Sequence, residues 1–297
     1  MLKQLSLSST VGLLTFCSVI HAGGMGPSTE NKPEAGLFIG LGGSYNSVKT
    51  DQNLFASGVS DVFAGGALTA FGEAGGPANP YHNINSTFAP QVQGGYFKNF
   101  TGSDHFWGVK FLYQYLDSVA NDEAIDSPQA GTFTSLVGGT TFTGNVIVQS
   151  SQVNSKHELA LMPFIGHSFM NSVVYLGAGP SVIGARSNIY HSIGYADING
   201  VHADISGEQV NFSNSKWMWG GAMQIGAAYY FSPSWFLDCN YTYSVTNAYK
   251  NNNSSGFISS TTSGGTTYTT DGTLFVNASN RVTAQTLSIS INKVFAL

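Results

Sequence analysis

Three charged residues lie within segments where apolar and polar side chains alternate: Lys110, Glu158 and Asp238. Taking such a charge out of water is costly unless an opposite charge or hydrogen-bonding groups compensate for it. We therefore expect Lys110 and Asp238 to pair, directly or through amide side chains. Their pairing could form a structural plug or part of an ion path, and the plug is favoured. The polar residues of these segments lie on the face opposite the apolar residues. Those predicted to form a polar cluster on that face are Lys110, Gln114, Glu158, Gln224, Asp238 and Asn240.

A second group of residues could bind a metal ion. It occupies one stretch of the chain and consists of His191, Asp197, His202, Asp204 and Glu208. Their spacing matches neither a calcium loop nor a zinc site, so a solvated hairpin is favoured and no metal site is predicted.

One short motif could carry a nucleophile. Gly166, His167 and Ser168 begin like the turn that presents a catalytic serine, but Met170 stands where that turn needs glycine. No other arrangement of nucleophile and base is evident. We therefore predict no catalytic residue and no cofactor, and expect that the chain is not an enzyme.

The composition narrows the class of protein. Charged residues make up only 9% of the 297 residues, against about 25% in typical soluble domains, and apolar residues make up 42%. A helical membrane protein would need runs of about 20 apolar residues, which this chain lacks. The net charge of −5 offers no basic surface for nucleic acid, so no nucleic-acid partner is expected.

The beginning of the chain has the features of an export signal. Lys3 is followed by a short apolar stretch, Val11 to Ile20, and Ala22 ends a plausible cleavage site. We therefore predict a signal peptide over residues 1–22. Residues 23–36 lack periodicity and are predicted to be a flexible segment.

Eight later segments alternate apolar and polar residues with a period of two, which is typical of β-strands. Their apolar faces begin at Leu37, Val92, Trp107, Leu159, Val174, Trp217, Trp235 and Leu287. The connections alternate in length. The short ones lie near Asn99 to Asp104, Met170 to Ser172 and Ser232 to Ser234, and the long ones at Lys49 to Thr87, Asp117 to Ser155, Arg186 to Ser215 and Asn247 to Arg281.

This pattern predicts an all-β fold, an eight-stranded antiparallel up-and-down transmembrane β-barrel over residues 37–297. Short periplasmic turns and four long extracellular loops are the usual asymmetry of such barrels. In a bilayer every backbone group must pair internally, so the sheet closes and its apolar face turns outward. A soluble β-sandwich is the alternative, but its strands are shorter, at about 5–6 residues, and its connections more even.

Aromatic residues cluster near the ends of the predicted strands, where a barrel meets the two membrane interfaces. The residues predicted to form these two girdles are Trp107, Trp235 and Phe295 near the short turns, and Tyr45, Tyr115, Trp217, Trp219 and Tyr243 towards the long loops.

The eight segments, the aromatic residues and the alternating C-terminal stretch from Leu287 to Leu297 together resemble the small outer-membrane β-barrels of Gram-negative bacteria. That family includes the OmpA barrel domain, OmpX, OmpW and the opacity proteins. The resemblance implies location in the bacterial outer membrane and insertion by the barrel-assembly machinery. It also implies contact with outer-membrane lipid and lipopolysaccharide, and a monomeric state.

Function is less constrained than fold. Long loops on a rigid scaffold are common binding sites, so we expect a structural or surface-interaction role with an extracellular partner. A narrow porin-like channel is the alternative, since Gly177 and Gly179 would leave space on the inner face. A lipid-modifying barrel enzyme is a third, less favoured possibility.

Overall fold

The computed structural model describes residues 33–136, 142–198, 201–204 and 206–297, with side chains described for all of these except 142–143, 196–198 and 201–204. Among these residues the chain forms eleven β-strands. Their bounds are β1 Ala35–Ala64, β2 Ala67–Pro77, β3 Tyr81–Asn99, β4 His105–Ser135, β5 Phe142–Phe169, β6 Ser172–Ile198, β7 Val201–Asp204, β8 Val210–Ser232, β9 Trp235–Thr246, β10 Tyr249–Ser263 and β11 Thr266–Ala296. No helix in the described part of the chain is long and apolar enough to cross a membrane. The predicted signal peptide lies outside the described residues.

The strands form one antiparallel sheet. Pairing runs from β1 to β3, then through β4, β5, β6, β8 and β9 to β11. Strand β11 in turn pairs with β1, from Gly36 opposite Ala296 to Ala64 opposite Tyr268. Each of these eight strands therefore has a partner on both edges. Strands β2, β7 and β10 are additional, and they pair with β1 and β4, with β6 and with β11, respectively.

The predicted strand number of eight is wrong for the described residues, because much of the sequence assigned to four long loops is also strand. Strands β1, β4, β5, β6 and β11 continue far into those segments, and β2, β7 and β10 lie within them. The predicted short connections coincide with the turns after β3, β5 and β8. The physical reason for the extra strands is that Thr-rich segments pair readily once neighbouring strands continue beside them.

One part of the sheet carries apolar residues on its exposed face and polar residues on its buried face. In β1, Leu37, Ile39 and Leu41 are exposed, whereas Ser44 and Asn46 are buried. We call the buried side the inner face, the opposite side the outer face, and this exposed apolar zone the apolar belt. The belt recurs on the strands that neighbour β1, with Ile289 and Ile291 on β11 and Val92 on β3 exposed.

Beyond the belt the polarity of the two faces is reversed. Further along β1, Val48, Leu54 and Ala56 are buried on the inner face and Lys49 is exposed on the outer face. We call this distal part of the sheet the extension, and an apolar core fills it. Its buried members are Leu54, Ala56, Ala78, Ile125, Val146, Val148, Ile189, Leu274, Val276 and Ala278. The extension is therefore built like a water-soluble β-protein, whereas the belt is built for an apolar environment.

Candidate functional site

The predicted charged residues of the inner face meet around Asp238. The turn after β8 places Asp238 early in β9, opposite Ser290 of β11 and Ala228 of β8. Lys110 extends from β4 and places its Nζ 3.4 Å from Asp238 Oδ2. Both side chains are almost completely buried. The two charges compensate for each other at a depth where an isolated charge would be costly.

Three neutral side chains complete the hydrogen bonding of Asp238. The Tyr175 hydroxyl donates to Asp238 Oδ1 over 2.8 Å, and Lys110 Nζ donates to the same Tyr175 oxygen over 2.8 Å. Gln93 Nε2 and Asn240 Nδ2 each donate to Asp238 Oδ2 over 3.0 Å. We call Gln93, Lys110, Tyr175, Asp238 and Asn240 the Asp238 cluster. Its carboxylate has four donors, so this cluster is well satisfied.

The structure divides the six predicted polar residues into two groups. Gln224 joins the Asp238 cluster, because its Nε2 donates to Asn240 Oδ1 over 2.8 Å. Gln114 and Glu158 form a separate pair in which Gln114 Nε2 donates to Glu158 Oε2 and, over 3.1 Å, to Thr286 Oγ1. The polar cluster predicted from the sequence includes neither Gln93 nor Tyr175.

A cluster of aromatic side chains covers the inner face at the end where the short turns lie. Its buried members are Phe38, Phe97, Phe106, Phe164, Val173, Tyr175, Ala228, Phe236 and Val294. Several rings lie over glycines of neighbouring strands. A Cβ added at Gly166 would fall 2.5 Å from the Phe106 ring, and one at Gly226 2.3 Å from the Tyr175 ring. Sequence reasoning missed this cluster, although phenylalanines on the otherwise polar face, such as Phe236, were a usable signal.

The predicted girdle residues lie on the outer face. Of these eight, Tyr115 is half-buried, and the exposed ones are Tyr45, Trp107, Trp217, Trp219, Trp235, Tyr243 and Phe295. Two of them contact aromatic neighbours on adjacent strands, with ring centroids 5.0 Å apart for Tyr45 and Phe88 and 5.8 Å apart for Tyr96 and Trp107. Their assignment to two membrane interfaces stays a prediction.

A small charged group lies on the outer face just beyond the apolar belt. Lys49 Nζ lies 2.8 Å and His82 Nδ1 2.6 Å from Asp51 Oδ1. Burial alone would raise the pKa of Asp51, but the hydrogen bonds with Lys49 and His82 outweigh it and lower this pKa. Because Lys49 and His82 are largely exposed, the group contributes at most about 1 kcal/mol to stability.

The stretch considered for a metal site is only partly described. The side chains of Asp197, His202 and Asp204 lie outside the described residues. The backbone N–H of His191 donates to the Asn211 side-chain oxygen on β8 over 2.8 Å. Among the residues that are described, no group of three or more His, Cys, Asp or Glu side chains could hold a metal ion.

Together these features define a class. An antiparallel sheet whose strands all find partners, with apolar residues outside and polar residues inside, is the arrangement of outer-membrane β-barrel proteins. The described strands of this chain have this arrangement. No protein-family model matches it, and no curated protein sequence does.

Several solved structures match the chain. Ail, the attachment invasion locus protein of Yersinia pestis, is 12% identical, with 78% of this chain and 97% of that protein covered and a TM-score of 0.25. Neisserial surface protein A is 12% identical, with 82% and 97% covered and a TM-score of 0.27. The outer-membrane protease OmpT of Escherichia coli is 10% identical, with 88% and 97% covered and a TM-score of 0.24.

The protease among these matches corrects one prediction. The expectation that the chain is not an enzyme is contradicted, because the matched structures include an outer-membrane protease. The expectation rested on the lack of a local nucleophile motif. Catalytic groups are recognised by their geometry and can come from distant parts of a chain, so a missing motif does not exclude them.

Proposed function

We propose that the chain is exported and inserted into the bacterial outer membrane, where β1, β3, β4, β5, β6, β8, β9 and β11 close as an eight-stranded barrel. The return of the pairing from β11 to β1 supports closure. From Leu37 to Tyr45 the apolar belt covers about 20 Å, at roughly 3.3 Å per residue and a tilt near 40°, close to the roughly 25 Å apolar band of such barrels.

The proposal includes the partners of the inserted protein. The signal peptide over residues 1–22 directs export, and the barrel-assembly machinery inserts the strands. Outer-membrane lipid covers the apolar belt, and lipopolysaccharide lies beside the aromatic residues next to the extension. Each of the eight strands proposed to form the barrel has two partners in the described part of the chain, so the barrel has no open edge that would require a second copy and is monomeric.

The function proposed for the extension is contact with an extracellular partner. The observation that carries it is the rigid apolar core of the extension, which holds the strands well beyond the belt. The hairpin of β10 and β11 lies at its far end, where Ile258 and Tyr268 are exposed. Exposed apolar side chains on a rigid scaffold are suited to protein contacts.

Adhesion can be tested with intact cells. We expect Escherichia coli cells that express the chain to be retained on cultured epithelial cells more than cells without it, and Ile258→Asp to remove most of this gain because a charge replaces the exposed apolar contact. Surface exposure is checked with the variant Thr262→Cys in a Cys239→Ala background, whose new thiol is labelled on intact cells by a membrane-impermeant maleimide. The matched variant Ser103→Cys, in the turn at the opposite end of the sheet, should react only after lysis. Equal retention with and without the chain would contradict adhesion.

A second prediction separates the surface protein from the narrow channel. The inner face carries an apolar layer of Val48, Leu116, Ile183, Met218, Val282 and Ala284 between the polar residues and the extension. A Cβ at Gly179 would lie 2.1 Å from the Leu161 carbonyl oxygen, so the neighbouring strand β5 closely approaches this glycine. We expect the purified protein to give no steady unitary conductance in a planar bilayer, since dry apolar layers block ions. Reproducible unitary steps would support the channel instead.

A further inference from the structure

Three polar side chains form a row across neighbouring strands of the inner face. Gln91 of β3 is the register partner of Gln114 of β4, and Gln114 is the register partner of Glu158 of β5. All three side chains are almost completely buried. Direct register partners have Cβ atoms about 4.5–5.5 Å apart, so their side chains reach a common space.

Each of these side chains has an oxygen with no hydrogen-bond partner among the residues that the structure describes. These oxygens are Gln91 Oε1, Gln114 Oε1 and Glu158 Oε1. Ser244 of β9 lies beside the Glu158 carboxylate, and its hydroxyl oxygen likewise has no hydrogen-bond partner among the described residues. The amide nitrogens are in use, because Gln114 Nε2 donates to Glu158 and Gln91 Nε2 donates to Gln93 Oε1 over 3.5 Å. The amide of Gln114 is thereby oriented, since turning it over would set its oxygen against the carboxylate.

The row carries one negative charge that no cation of the described chain offsets. None of the ion pairs among the described residues includes Glu158. Lys110, the buried cation nearest along β4, is held by Asp238 at 3.4 Å. A buried carboxylate with a single amide donor differs sharply from Asp238, which has four donors. Such a charge is costly unless something compensates for it.

We propose that Glu158, Gln114, Gln91 and Ser244 bind one monovalent hard cation, Na⁺ or K⁺. The four unpartnered atoms are all oxygens, and carboxylate, amide and hydroxyl oxygens are the ligands that hard cations take. One carboxylate balances one positive charge, whereas a divalent ion would leave a buried excess charge. The cation joins β3, β4, β5 and β9 across the inner face and so stabilises the folded barrel.

The test measures heat stability of the refolded protein in detergent. NaCl or KCl is exchanged for choline chloride at constant ionic strength, so that general screening stays the same. The readout is the temperature at which half of the protein loses the fast-migrating folded band on a gel. We expect this temperature to rise by a few degrees with the alkali cation and to saturate, as a ligand of the native state requires.

Two variants identify the ligands. Glu158→Gln keeps the size of the side chain and removes its charge, so its transition temperature should not respond to Na⁺ or K⁺. In choline chloride it should equal or exceed that of the wild type, because no uncompensated charge remains. Gln91→Leu keeps the charge and removes one oxygen, so the same rise should need a higher cation concentration. Asp238→Asn, in the neighbouring cluster, is the control: it should lower the transition temperature and leave the cation response unchanged.

Three results would overturn the proposal. If the wild type does not respond to either cation, the Glu158 carboxyl carries its own proton. If Glu158→Gln responds as the wild type does, the cation binds elsewhere. If CaCl₂ stabilises the wild type and NaCl and KCl do not, the site is divalent and the charge argument fails.

Discussion

Replacing Asp238 with alanine is expected to lower the free energy of unfolding by about 3–5 kcal/mol, the usual cost of removing one partner of a buried ion pair. The loss arises mainly from what remains behind. Without the carboxylate, the one acceptor left to Lys110 in the described part of the chain is the Tyr175 oxygen, 2.8 Å from its Nζ. Gln93 and Asn240 also lose an acceptor for an amide N–H. Unfolding in urea from lipid vesicles, followed by tryptophan fluorescence, measures the difference.

The opposite substitution should cost less. In Lys110→Met the carboxylate of Asp238 keeps three donors from Gln93, Tyr175 and Asn240, so a loss of about 1.5–3 kcal/mol is expected, that of a hydrogen bond to a charged group. Combining the two substitutions should cost less than their sum, because neither charge is then left alone. Asp271→Ala, on the exposed part of β11, is the control and should change stability by less than about 0.5 kcal/mol. A loss below about 1 kcal/mol for Asp238→Ala would show that the pair does not stabilise the fold.

The apolar belt could be predicted from the sequence because a strand alternates its side chains between two faces with a period of two. That geometry needs no tertiary information. It placed Leu37, Ile39 and Leu41 on one face, and the structure exposes all three. The turn before Trp235 was equally legible, because Pro233 and its flanking serines interrupt two clear alternating segments.

The extension could not be recognised in the same way because its alternation changes phase. In β1, Leu37, Ile39 and Leu41 lie on the outer face, whereas Val48 and Leu54 lie on the inner face. In β11 the same change separates Leu274 and Val276, which are buried, from Ile289 and Ile291, which are exposed. A template with a fixed phase stops matching at that point, although backbone pairing continues. In the proposed membrane-inserted barrel, the change of phase marks the height at which the surroundings change from lipid to water.

The contacts across the inner face depended on information that one strand does not contain. Lys110 and Asp238 were expected to pair because a lone charge on the inner face is costly. Which residues of other strands reach them depends on the stagger between strands, which sets how the inner faces meet. Tyr175 reaches Asp238 from β6, and Gln93 reaches it from β3. The sequence alone does not specify that stagger.

Introducing valine at Gly226 is the second substitution with a large expected effect. A Cβ at this position would lie 2.3 Å from Cζ and 2.4 Å from the hydroxyl oxygen of Tyr175. The ring has to move, so we expect a loss of at least about 3 kcal/mol, at the upper end for overpacked cores, and a smaller folded fraction after refolding. Gly221→Val on the same strand is the matched control, since its nearest neighbour would be the Gly179 carbonyl oxygen at 3.8 Å. Equal folded fractions for the two variants would contradict the close packing of Tyr175 on Gly226.

The effect of Gly226→Val should extend from the aromatic cluster to the Asp238 cluster because Tyr175 belongs to both. Its ring packs among the aromatic side chains, and its hydroxyl donates to Asp238 Oδ1 while accepting from Lys110. Moving the ring therefore breaks hydrogen bonds that Asp238→Ala also removes. We expect the variant that combines Gly226→Val with Asp238→Ala to lose less stability than the sum of the two single losses, by about 1 kcal/mol or more. Substitutions within one hydrogen-bond network are not additive in this way. Strict additivity in a double-mutant cycle would show that the two clusters stabilise the barrel independently.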